Sequence, residues 1–310
     1  MCGRYALELA LEHPQYLAGV ELVAPITNYN VAPTHTVPVL VDRLTASETY
    51  TQPADSFFTR EIHAARWGLL PTWADDPAFA SRTFNARSET ALTKPTFRDA
   101  AISGHCAMPV TGYYEWKSET TLGGKTRKTP YLVRRVDRRP IYLAGLYTWW
   151  RIPEAHAVPG ATFEGRAGQW LLTCSILTMD SPGNGEFDTG ILTELGGEPP
   201  YAHPMEEELG QLHNRLPIPL GVASDAGISE DDALTRWLRS GRPAGARASA
   251  DPILKAKTQQ DAQAALDGIR AQAFAQTHTW ELYPVSTDVG RVAHNAPYLL
   301  EPVEDLLSGL

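Results

Sequence analysis

Apolar, β-branched and aromatic residues gather in short runs through the first part of the chain. Such runs occupy 37–41, 62–70, 106–116, 131–136, 141–149 and 170–178, and turn-forming residues bound most of them, including Gly123-Gly124 and Asp180-Ser181-Pro182-Gly183. Runs of this length and chemistry predict β-strands. The pattern then changes. Residues 204–212 begin with proline and carry acids in their first turn, which predicts a helix. Residues 230–238 and the Ala/Gln-rich 252–274 also read as helices, and 89–92 opens a short one after a turn at Asn85. A strand returns at 280–285. Three stretches, 45–60, 153–168 and 240–251, read as loops or insertions. The whole predicts one α+β domain with a closed or nearly closed sheet and helices outside it.

Composition supports a folded domain. The 310 residues are 43% hydrophobic and include 8 Trp, 12 Tyr and 8 Phe, enough for a substantial core. No apolar run approaches the roughly 18 residues of a membrane span, and the N-terminus lacks a secretory pattern. Three scattered cysteines, Cys2, Cys106 and Cys174, argue against a disulfide framework and for a reducing cytoplasmic setting. No spacing points to a metal site, and no cofactor is expected.

Net charge is −9, which speaks against a polyanionic partner. The charge is uneven, however. Between Arg82 and Arg139 there are twelve Lys/Arg against five Asp/Glu. A local basic face of this kind can bind a polyanion; it serves equally well as a solvated surface.

The second position changes the picture. Trimming of Met1 leaves Cys2 with a thiol and a free α-amine on one residue, groups that titrate near ~8.5 and ~7.7–8.0. Against an amide or ester, the thiol attacks and the amine serves as base. Against an aldehyde, the amine forms a Schiff base and the thiol closes a five-membered thiazolidine, an intramolecular step with a high effective concentration.

Either route needs proton handling. In Gly112-Tyr113-Tyr114-Glu115-Trp116-Lys117, alternation sets Tyr113, Glu115 and Lys117 on one strand face. An acid among aromatics suits general acid–base work, although an edge-strand glutamate paired with Lys117 is the plainer explanation. His213 follows a helix and precedes Pro217, where it can donate to a sugar oxygen or simply cap the helix. Asn85 can orient an amine or carbonyl and Arg87 can hold a phosphate, or the two form an ordinary turn. Trp67 and Trp73 are core residues or stacking surfaces for bases.

Taken together and in order, Met1-Cys2-Gly3-Arg4, Tyr29-Asn30-Val31-Ala32-Pro33, Trp67-Gly68-Leu69-Leu70-Pro71, Asn85-Ala86-Arg87-Ser88-Glu89-Thr90, Gly112 to Lys117, His213-Asn214-Arg215-Leu216-Pro217 and Tyr283-Pro284-Val285-Ser286 resemble the SRAP family of SOS-response-associated proteins. The resemblance implies an SRAP-type α+β domain over 2–292, built on a closed or nearly closed antiparallel barrel-like sheet with peripheral helices. Insertions would fall near 45–60, 153–168 and 240–279, with a tail over 293–310.

The resemblance also implies a function. Family members bind single-stranded DNA at abasic sites, including single/double-strand junctions, and cross-link to the opened sugar through Cys2. Glu115 would be the acid/base, His213 would assist at the sugar hydroxyl, and Asn85 would position the Cys2 amine. Arg4, Arg87, Trp67 and Trp73 would contact DNA. A cytoplasmic, nucleoid-associated monomer is expected, with cross-link reversal, autoproteolytic removal of Met1 and lyase action as associated activities. An N-terminal nucleophile hydrolase of amidotransferase or peptidase type is the alternative. This chain departs from the family pattern at His105-Cys106-Ala107-Met108-Pro109 and in reading Arg-Leu-Pro where Arg-Met-Pro is usual.

Overall fold

A computed structural model describes residues 2–9, 24–44, 58–120, 124–183, 203–222, 229, 232–241 and 252–303. Most of the 45–60 stretch, nearly all of 240–251, the start of the 230–238 helix and the last residues of the expected tail lie outside these.

Thirteen strands are named among the described residues. They are β1 (Tyr5–Leu9), β2 (Ile26–Val31), β3 (Thr36–Leu44), β4 (Phe58–Trp67), β5 (Asn85–Arg87), β6 (His105–Val110), β7 (Gly112–Thr120), β8 (Thr126–Arg135), β9 (Ile141–Arg151), β10 (Trp170–Asp180), β11 (Arg215–Pro217), β12 (Pro219–Leu220) and β13 (Trp280–Pro284). The helices are α1 (Arg98–Ser103), α2 (Pro204–Leu212), α3 (Ala233–Ser240) and α4 (Pro252–Thr277).

Two sheets divide these strands. The first is wholly antiparallel, in the order β13-β8-β7-β1-β2. In the second, β10 pairs with β4, β4 with β3, β3 with β6, β6 with β9, and β9 returns to β10. That circuit closes a five-stranded barrel. The closure expected from the sequence is present, but it is mixed: β10 runs parallel to β4 where they meet at Thr173 and Cys174. Closure removes the free edges that an open sheet would expose.

The apolar run 106–116 is divided between the two sheets. β6 belongs to the barrel and β7 to the open sheet, with Thr111 between them. Gly112 begins β7 where a Cβ would lie 2.7 Å from the carbonyl oxygen of Val133, so no larger side chain fits without a shift. Gly68 plays a related part at the end of β4. It adopts φ +132°, and a Cβ there would meet the Ala80 oxygen at 2.3 Å.

Other expectations also shift. Residues 89–92 form turns, and the helix begins only at Arg98. β2, Ile-Thr-Asn-Tyr-Asn-Val, carries too many polar residues to read as a strand from pattern alone, and β1, the mostly apolar Tyr-Ala-Leu-Glu-Leu, is a further strand not expected above. Residues expected to begin a tail at 293 pack on the open sheet instead. Leu299 is buried with Ala6, Tyr114 and Leu132, and Val285 bridges Pro302. The 153–168 stretch is turns and one short 3₁₀ segment between β9 and β10, and it packs Phe163 on Trp150 and Ile152.

Candidate active site

The site forms at the seam between the two sheets. β1 pairs with β7 at Tyr5 and Tyr113, and the Tyr114 amide donates to the Arg4 oxygen. Continuing that antiparallel register toward the N-terminus sets Gly3 opposite Glu115, whose carboxylate is near enough to act on the neighbouring Cys2 thiol. The barrel supplies the opposite wall through β10. One side of its final half pairs with β5 at Ile176 to Thr178, and the other pairs with β11 at Thr178 to Asp180. Asn85 begins β5, and His213 lies two residues before β11. One strand therefore anchors the two segments, remote in sequence, that carry Asn85 and His213.

The contacts are specific. Asn85 Nδ2 donates to the Cys2 main-chain oxygen at 2.6 Å. Cys2 is 0% exposed. Burial, and then the nearby Glu115 carboxylate, push its thiol well above the ordinary cysteine range, so the thiol is neutral at pH 7. Glu115 is also buried, and its Oε1 lies 3.9 Å from His213 Nε2.

His213 ends α2 in an extended conformation, φ −160° and ψ 149°. Its Nδ1 accepts from the Arg215 amide at 3.0 Å. A main-chain amide can only donate, so Nδ1 is unprotonated and the ring proton sits on Nε2. Burial lowers the pKa of His213, against the opposing pull of Glu115, which favours this neutral form. The ring thus presents an N–H donor on the side where Glu115 lies.

The remaining candidates separate. Arg87 is exposed at the end of β5, and Trp73 is 54% exposed, edge-on to Phe79 at 5.5 Å. Both are free to meet a ligand. Arg4 is committed elsewhere: its Nη1 donates to Asn30 Oδ1 at 2.8 Å and to the Val289 oxygen at 2.6 Å. Trp67 is a correction. It is 0% exposed, its Nε1 donates to the Phe84 oxygen, and it packs on Tyr5 and Phe84. No ring face remains for a base, so Trp67 is a core residue.

Three residues went unread in the sequence. Arg215 is buried and binds both Glu89 oxygens, at 2.8 and 3.0 Å, together with Asp180 and the Thr178 oxygen. It fastens the His213 segment to β10. Asn30, also buried, donates to the oxygens of Arg291 and His294 while receiving Arg4, so it joins the N-terminus to the 286–294 segment. Tyr113 has a buried hydroxyl with no hydrogen-bond partner, close enough to Cys2 and Glu115 to be influenced by both charges. Arg215 and Asn30 lie in the ordered motifs, but nothing in the motifs distinguishes a ligand contact from an internal brace.

The family model for SOS response associated peptidase (SRAP) matches residues 1–187. The chain belongs to this family. Among SRAP relatives, abasic site processing protein YoqW of Bacillus subtilis is 30% identical over 182 residues, covering 57% of this chain and 68% of that protein. Abasic site processing protein HMCES of Rattus norvegicus is 27% identical over 239 residues, covering 69% of this chain and 54% of its own length. A solved structure of a Bacteroides thetaiotaomicron protein shares the fold, with a TM-score of 0.51 at 20% identity, covering 89% of this chain and 85% of that one. No helix among the described residues is long and apolar enough to cross a membrane.

The seam brings together a buried thiol, a buried carboxylate and a partly exposed imidazole donor. Such a set can move protons to and from a substrate held against Cys2.

Proposed function

We propose that this protein captures abasic sites in single-stranded DNA as a covalent adduct at Cys2. The observation that carries this function is the convergence of Asn85, Glu115 and His213 on Cys2 from three separate elements. The relatives named for abasic site processing supply the substrate class.

The chemistry follows from the groups present. Removal of Met1 frees the Cys2 amine. An abasic sugar opens when its C1′ hydroxyl gives a proton to Glu115 and its ring oxygen takes one, with the His213 Nε2–H as the donor at that oxygen. The amine nitrogen then bonds to the C1′ aldehyde carbon, and loss of water leaves an imine. The neutral thiol adds to the same carbon, and its proton ends on nitrogen. One thiazolidine and one water result. The raised thiol pKa favours this order, amine first and sulfur second. Asn85 holds the Cys2 main chain while both bonds form. Reversal runs through the same groups.

An abasic sugar has no base to unstack, so it enters a buried site at low cost. Arg87 and Trp73, both exposed, would hold the strand by charge and by stacking respectively. The domain in this proposal extends from Cys2 through the packed 297–300 segment. Peptidase action would consist of removing Met1.

Incubation with single-stranded DNA carrying one abasic site tests the proposal. A denaturation-resistant shifted band is expected, absent with Cys2→Ala and absent when a tag precedes Cys2. An intact mature N-terminus giving no band rejects it, and glutaminase or peptidase turnover in its place would establish the hydrolase alternative.

A further inference from the structure

A cavity of about 280 Å³ lies beside the Cys2 site, lined in part by Arg87, Thr90, Ser181, Arg215, Arg270 and Phe274. Asn85 and Arg87 leave β5 on the same face, about 7 Å apart along the strand. The cavity therefore starts one side-chain step from the residue that holds Cys2. Its far wall is α4, which supplies Arg270 and Phe274 and lies beyond the residues matched by the family model.

The charges do not cancel. Arg215 is engaged by Glu89 and Asp180, which are also lining residues. Arg87 makes no side-chain hydrogen bond or ion pair with another described residue. Arg270 Nε is buried without a hydrogen-bond partner, and its Nη1 is 3.7 Å from Asp267, a long approach for an ion pair. Among the lining residues three guanidinium groups face two carboxylates, an excess of one positive charge at the wall, while Asp267 stands outside the lining.

Hydroxyl groups point the same way. Ser181 is 2% exposed, and its Oγ is buried with no hydrogen-bond partner; Thr90 Oγ1 is in the same condition. Buried polar groups in native proteins are almost always paired, so these await a partner. Arg87, with no side-chain partner among the described residues, Arg270, held only by a long ion pair to Asp267 and with its Nε unpartnered, and two hydroxyl donors form an array suited to phosphate oxygens.

We propose that this cavity is a phosphate-binding subsite that receives a phosphodiester of the strand held at Cys2, with Arg270 as its anchor. It rests on the function proposed above, and its test keeps the two apart. With abasic single-stranded DNA, Arg270→Gln raises the half-saturating DNA concentration for cross-linking roughly tenfold, while the limiting rate changes less than twofold. Arg270→Lys restores part of the loss.

Equilibrium binding of undamaged single-stranded DNA to the Cys2→Ala protein supplies an arm that needs no cross-link. There Arg270→Gln lowers the slope of log affinity against log salt by about 0.7, the loss of one phosphate contact. Ser181→Ala, a smaller change, weakens the same binding without altering that slope. Unchanged half-saturation and an unchanged salt slope in Arg270→Gln, with its melting temperature intact, overturn the proposal. Inorganic phosphate or dAMP raising the melting temperature of the wild type but not of Arg270→Gln, with no change in DNA binding, would assign the subsite to a free phosphate and also overturn it. A wild type that binds DNA with the predicted Arg270 dependence yet forms no adduct would reject the cross-linking function and keep the subsite.

Discussion

The side-chain amide of Asn85 donates to the main-chain oxygen of Cys2 across 2.6 Å, although 83 residues separate them. The bond orients the residue whose amine must reach an aldehyde, so its loss should cost rate more than stability. Asn85→Ala is expected to slow adduct formation by about tenfold to a hundredfold, the scale of about 1.4–2.7 kcal/mol in a barrier. Asn85→Asp should be slower still, because a carboxylate repels the same oxygen. Single-turnover cross-linking with matched melting curves measures both. An unchanged rate in Asn85→Ala would remove Asn85 from the positioning role.

Glu115 stands between Cys2 and His213, influencing the thiol of one and lying 3.9 Å from the ring of the other. Glu115→Gln keeps the shape and removes the base. Both formation and reversal of the adduct should slow by about 10² to 10⁴, since one group serves both directions. Reversal is followed by transfer of the protein to fresh competitor DNA. Slowing of formation alone would separate the two steps.

His213 is held neutral below the ordinary histidine range by burial. The cross-linking rate should fall as pH drops through the α-amine range near ~7.7–8.0, because the nucleophilic amine becomes protonated. It should then fall more steeply at a lower pH, beneath the ordinary histidine range, where imidazole protonation turns Nδ1 into a donor facing the Arg215 amide. A pH–rate profile of His213→Gln is expected to keep the first limb and lose the second.

His105 gives a stability prediction. It is fully buried, stacked on Trp237 at 3.8 Å, and burial pushes its pKa down to about 4. The unfolded chain binds a proton near pH ~6.5 and the folded chain does not, so stability is greatest above that value and is lost as pH falls from 6.5 to 4. The loss should be on the order of 3 kcal/mol. Denaturant unfolding between pH 7 and 4 measures it, and His105→Gln should flatten the dependence over this window.

Trp67 and Trp73 should respond in opposite ways. Trp67→Ala removes a fully buried ring and should cost about 3–5 kcal/mol of stability. Trp73→Ala removes an exposed ring and should leave the melting temperature nearly unchanged. It should weaken single-stranded DNA binding by about 1–3 kcal/mol if a base stacks there. Calorimetry and fluorescence anisotropy on the same two proteins decide the matter.

Local pattern determined much of this molecule. Alternating and apolar runs marked the strands that became β3, β9, β10 and β13, and Pro204 with the acids Glu206 and Glu207 marked α2 at its actual bounds. Such signals arise within a few residues, where side-chain period and terminal chemistry act on the backbone directly. The same locality explains the failures. The run 106–116 is continuous in sequence, yet the chain leaves one sheet and enters another at Thr111. Trp67 and Trp73 are alike as residues, yet one is sealed in the core and the other is open to solvent.

By itself the sequence determined that Cys2 stands second, that Glu115 shares a strand face with Tyr113, and that Asn85 and His213 lie at the ends of elements. Only the tertiary structure decided that these residues meet. The physical reason is pairing across long distances: β10 takes β5 on one side and β11 on the other, while the pairing of β1 with β7 brings the N-terminal residues to the strand that carries Glu115. Those registers are chosen by closure of the barrel and burial of its core, a choice made by the whole chain at once.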